Sequence, residues 1–149
     1  MHVPEIHLVS PAAQRTVVFV VFTDIVKELE SLAPWWLRAF TRQDFRHVFV
    51  LSPGLLGTVV VNPLGPGIAT AWAAFDPLAC AIACRRRGWR VLMFETQHCA
   101  AYTHYGWLSC VAVTKALIGI RRWWIVTPRQ LYNYLLQHGA VEVNDVGTL

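Results

Sequence analysis

More than half of the 149 residues are apolar, yet no apolar run is long enough to be more than a strand or a short helix. A membrane-spanning helix needs about 20 mostly apolar residues. The longest contender, Thr58 to Cys84, is cut by Asn62, Pro63, Gly65, Pro66, Gly67, Asp76 and Pro77. Proline removes a backbone donor and glycine frees the backbone to turn, so each of these ends an element. No transmembrane segment is expected. The run Val17 to Phe22 is too short for the core of a signal peptide, and Asp24 follows closely. No signal peptide is expected either. The chain must fold its apolar residues into several short elements around one interior, and its length suffices for a core without staples.

Composition fills in those elements. Residues 1–15, with two prolines and no periodicity, read as an N-terminal arm, and residues 16–149 as one domain. Thr16 to Phe22 is β-branched and strand-like. Ile25 to Leu32 suits a short helix stopped before Pro34, with another helical turn over Trp35 to Phe40. His47 to Leu51 and Thr58 to Val61 form a predicted hairpin across Ser52 to Gly57. Asn62 to Gly67 reads as a turn, and Ile68 to Trp72 as a third strand of that group. Asp76-Pro77 marks a helix start, with Asp as cap and Pro in the first turn. Gly88 would end that helix. Trp89 to Phe94 is strand-like, and Gln97 to Gly106 is an irregular polar and aromatic loop. A helix over Val111 to Ile118 would end at Gly119, and one over Pro128 to His138 at Gly139. Strands and helices mixed in this order predict an α+β fold.

Charged residues make up 15% of the chain, below the roughly 25% of ordinary globular domains. The net charge of +4 gathers at Arg85-Arg86-Arg87 and Arg121-Arg122. Arginines at a helix C-terminus complement its dipole, and no basic stripe runs along the chain, so nucleic acid is not expected as a partner. Seven Trp, with Trp35-Trp36 and Trp123-Trp124 as pairs, exceed what this core should hide. The surplus predicts an apolar surface covered by another protein or another copy.

The chemistry-bearing residues converge on Cys110 and His47. Cys110 stands in Gly106-Trp107-Leu108-Ser109-Cys110, where a loop gives way to a helix. Unpaired N–H groups in a first helical turn favour the thiolate, the reactive form. His47 opens a strand, a rigid platform for a base. A third polar group should orient the imidazole. Asn62 fits, because the hairpin would bring it to the His47 end of the sheet. In the loop before the thiol, His104, Tyr105 and Trp107 are candidates for oxyanion or substrate contacts. A rival constellation, His98, Cys99, His104 and Cys110, has zinc-ligand residue types without knuckle spacing. Neither metal nor cofactor is expected. Cys80 and Cys84, four apart on one helix face, read as buried free thiols rather than a disulfide.

This order of parts resembles the permuted papain-like cysteine hydrolases, the circularly permuted branch related to the NlpC-type cell-wall peptidases and lecithin-retinol acyltransferase. Phe45 to Leu51, Val61-Asn62-Pro63-Leu64 and Ser109 to Ile120 also look like segments of small tailed-bacteriophage proteins. There, too, the Cys helix is followed by a stretch similar to Thr127-Pro128-Arg129-Gln130-Leu131-Tyr132. The resemblance spans about residues 45–138. It implies a permuted papain-like fold with a small antiparallel sheet packed on helices. Cys110 would be nucleophile, His47 base and Asn62 the orienting residue. The activity implied is cleavage of an amide or peptide bond, with peptidoglycan as substrate in a phage setting, or acyl transfer. The alternative is a structural virion or tail-associated protein on the same fold with the dyad unused. Either would place the chain in a virion or the host cytoplasm, beside other virion proteins.

Overall fold

The computed structural model describes residues 15–24, 45–64, 67–97 and 109–144. In chain order these form β1 (Arg15–Thr23), β2 (His47–Gly54), β3 (Gly57–Leu64), β4 (Gly67–Ala73), α1 (Pro77–Arg86), β5 (Arg90–Gln97), α2 (Cys110–Leu117), α3 (Pro128–Gln137) and β6 (Val141–Glu142). The strands make one six-stranded sheet, in the order β4-β3-β2-β1-β5-β6, with every neighbouring pair antiparallel. This is an α+β architecture, as the sequence predicts.

Period-two alternation along β1 and β2 splits the core into two layers. Val18, Val20, Phe22, Val48 and Val50 face one way, packed under Val111 of α2, Leu131 and Leu135 of α3 and Ile125 between those helices. Phe19, Val21, Phe49 and Leu51 face the other way, under Ala81 of α1. The two central strands are apolar on both faces because both faces are covered.

The helix boundaries follow from local chemistry. The Asp76 carboxylate accepts from the N–H groups of Leu78 and Ala79, at 2.8 and 3.3 Å, and Pro77 fills the first turn of α1. Thr127 and Gln130 form a capping box at the start of α3. Gly88, Gly119 and Gly139 adopt φ of 83°, 75° and 89° where the three helices end. A glycine at such a position carries no side-chain clash.

Several expectations change, and the Ser52 to Gly57 connection shortens to Leu55-Leu56 because β2 runs on to Gly54. Asn62 to Gly67 does not begin a turn at Asn62, because β3 continues through Leu64 and pairs Asn62, Pro63 and Leu64 with Ala69, Ile68 and Gly67 of β4. Pro63 is tolerated there because the ladder to β2 has already ended at Val50↔Val61, so its missing N–H breaks no pairing on that side. Trp89 to Phe94 extends as β5 to Gln97, carried by β1 along its full length. β6, only two residues long, has no pattern of its own and exists because β5 offers an edge. Residues 1–14 of the expected arm, the helix over Ile25 to Leu32 and Trp35 to Phe40 lie outside the described residues, whereas Arg15 opens β1.

Among the described residues no helix is long and apolar enough to cross a membrane. Trp123 is 86% exposed and Trp124 is also exposed, whereas Trp35-Trp36 lies outside the described residues.

Candidate active site

Cys110 is the first residue of α2. Ser109 caps the helix, its hydroxyl accepting from the Ala112 N–H at 3.1 Å and its carbonyl from the Val113 N–H at 3.0 Å. The N–H groups of Cys110 and Val111 remain turned to the thiol, together with the N–H of Val48 on β2. The thiol thus meets the sheet where β3 has parted from β2, beyond Val50↔Val61. Burial nevertheless outweighs these donors and pushes the Cys110 thiol above its ordinary value. The helix end favours the thiolate, but desolvation of a thiol packed against the core layer that includes Val48 and Val111 is larger and runs the other way.

His47 is the first residue of β2, paired with Thr23 of β1 and 7% exposed. Its Nε2 lies 2.6 Å from Oδ1 of Asn62. An amide oxygen only accepts, so Nε2 holds the ring proton and, in the neutral ring, Nδ1 keeps the lone pair. Burial lowers the His47 pKa below 6.5, against the Asn62 bond, which raises it. The ring therefore rests neutral near pH 7, in the state a base requires.

His47 and Asn62 are brought together as the hairpin implied. Cys110 is brought to the neighbouring residue, Val48, but no hydrogen bond joins the thiol to His47. The imidazole stacks towards Phe49, centroid to centroid 6.3 Å, and Phe49 belongs to the core layer under α1. The thiol approaches from the layer of Val48 and α2. The two side chains thus lie towards different layers of the core, and any proton transfer between them would have to pass around the end of β2. His104, Tyr105 and Trp107 lie outside the described residues, as do His98 and Cys99 of the rival zinc set. Cys80 and Cys84 are free thiols on α1, half-buried, and Cys84 is raised to about 11 by burial, with the Arg87 charge opposing and Cys80 adding to it.

Two groups, one beside the thiol and one on its helix, have no signal in the sequence. The Val48 N–H is backbone, and only the register that ends the β2–β3 ladder exposes it. Lys115 of α2 is 4% exposed, its ammonium donating to the carbonyls of Arg122 at 2.8 Å and Ile125 at 2.7 Å. It ties the far end of the Cys110 helix to the segment leading into α3. Two clefts, of about 440 and 410 Å³, lie elsewhere. One is bordered by Thr96, Arg122 and His138 and the other by Arg15, Pro53 and Leu78; neither includes Cys110, His47 or Asn62.

Comparisons with protein-family models, with curated proteins and with solved structures find no match to this chain.

Proposed function

We propose that the chain is a cysteine hydrolase of permuted papain-like type, cleaving an amide or peptide bond through Cys110, His47 and Asn62. The observation that carries the proposal is the 2.6 Å bond from His47 Nε2 to Asn62 Oδ1, which fixes the proton on the far nitrogen and leaves Nδ1 as base. In this reading Nδ1 takes the Cys110 proton as sulfur attacks the carbonyl carbon. The N–H groups at the start of α2 receive the negative oxygen. The imidazolium then protonates the leaving amine, and water, deprotonated by the same nitrogen, hydrolyses the thioester. The pair starts as neutral thiol and neutral imidazole rather than as an ion pair, because burial acts on both in that direction. Within the resemblance to phage proteins, the substrate is a peptidoglycan stem peptide or cross-link.

A second reading has its own support. The absence of a hydrogen bond between His47 and Cys110, and the raised thiol, fit a structural virion protein that keeps the fold and does not use the dyad.

The test is amine release from purified peptidoglycan by the full chain and by Cys110→Ala and His47→Ala, each checked for folding. Hydrolase action requires release by the parent chain and a loss of about 10³-fold or more in both variants. Equal release, or none, by all three leaves the structural reading.

A further inference from the structure

β4 is an edge strand of unusual regularity. Its sequence, Gly67-Ile68-Ala69-Thr70-Ala71-Trp72-Ala73, carries no charge and no proline. Edge strands of monomers normally carry such residues to block pairing with another chain. Here the outer edge is bare: among the described residues β4 pairs only with β3, and Ile68 and Trp72 are 50% and 58% exposed.

The side chains alternate large and small about a centre. Ile68, Thr70 and Trp72 share one face and Ala69 and Ala71 the other, with Gly67 and Ala73 at the ends. The alternation of larger and smaller residues runs the same way from either end, with Thr70 in the middle. We propose that β4 pairs antiparallel with β4 of a second copy, about a two-fold axis at Thr70, making one twelve-stranded sheet.

The register follows from the pattern. A two-fold at Thr70 sets Thr70 against Thr70, Ile68 against Trp72 and Ala69 against Ala71. A two-fold interface must be self-complementary, and this strand is. Each Ile–Trp pairing is an aromatic to β-branched cross-strand contact, a favourable class. Slipping the register by one residue would instead face Ile68 with Ala71 across the pleat and forfeit both contacts. On the same face, half-buried Val59 and Val61 lie beside Trp72 and Thr70, so pairing also closes apolar surface between the copies. A second copy is the occupant chosen because only it supplies this pattern in reverse. An extended segment of another protein would have no reason to match the centre at Thr70.

The experiment is sedimentation of the full chain across a concentration series, with Thr70→Lys, Thr70→Glu and their equimolar mixture. Thr70 is exposed, so both variants should fold, and circular dichroism checks this. The parent chain is expected to dimerise. Each single variant, with like charges facing across the axis, should dissociate at a concentration on the order of tenfold higher or more. The mixture should recover the dimer, because Lys then faces Glu. A monomeric parent chain, or variants that dimerise as the parent does, would overturn the proposal. A dimer weakened in both variants and not recovered in the mixture would overturn the Thr70 axis.

Discussion

Asn62→Ala isolates the bond between His47 and Asn62, which is already formed. The substitution removes Oδ1 and leaves His47 Nε2–H without its acceptor at a position 7% exposed. A buried donor stripped of its partner costs about 1–3 kcal/mol. For a chain of this length each kcal/mol moves Tm by about 2–4 °C, so the variant should melt about 2–12 °C lower at pH 8, where the imidazole is neutral folded or unfolded. The pH dependence carries the second half of the prediction. His47 titrates below 6.5 in the folded chain because burial disfavours its charge. As pH falls through 6.5, the unfolded imidazole takes up a proton that the folded one refuses, and stability declines until the lower, native pKa is reached. Asn62 pulls the native pKa upward, so its removal widens that window, and the decline should continue to lower pH in the variant. Thermal unfolding at pH 8, 6.5 and 5 measures the first effect, and NMR titration of His47 the second. An Asn62→Ala chain with parental Tm at pH 8 and an unmoved His47 titration would refute the tautomer argument and the base role built on it.

Alkylation with mass mapping should show Cys110 labelling still rising with pH above its ordinary value, and Cys84 labelling rising towards its value of about 11. A plateau in Cys110 labelling below pH 7 would contradict the burial argument. Gly57→Ala should lower stability by about 1–3 kcal/mol, read by urea unfolding, because the backbone there has φ of 150° and a methyl group would run into the Ala73 carbonyl. Lys115→Met should keep the helix but leave the carbonyls of Arg122 and Ile125 without this donor. A loss of about 1–3 kcal/mol is expected, with faster hydrogen exchange over residues 118–127; unchanged exchange would refute the tether.

Helix ends were the most legible part of this fold. Asp76-Pro77, Thr127-Pro128 and the glycines at 88, 119 and 139 act through local backbone chemistry, which needs no tertiary partner. The joining of His47 to Asn62 was legible for a related reason: a short hairpin connection fixes register. What escaped the sequence depended on elements far apart in the chain. The continuation of β3 past Pro63 depends on β4 taking over after β2 has left. β6 depends on the edge of β5. The raised thiol at Cys110 depends on how deeply α2 presses against Val48 and Val50, and no residue pattern states that depth. Lys115 looks like any solvated helix lysine until two carbonyls from the following segment are placed against it.

The strand order also sets how the molecule must assemble. β2, β3 and β4 form a meander whose pairings, such as Val50 with Val61, close short loops. β1 belongs to neither a local hairpin nor the end of the sheet: it is inserted between β2 and β5, with Phe19 against both Leu51 and Met93. The chain between Phe19 and Met93 must be closed before the central strand gains its second partner, and the entropy of such closure is lost before contacts repay it. The meander is therefore the natural early structure, and the docking of β1 with β5 the slow step. Truncations split accordingly: Val59→Ala, in the meander, should slow an early folding phase, whereas Val20→Ala strikes the strand on which both halves of the sheet wait.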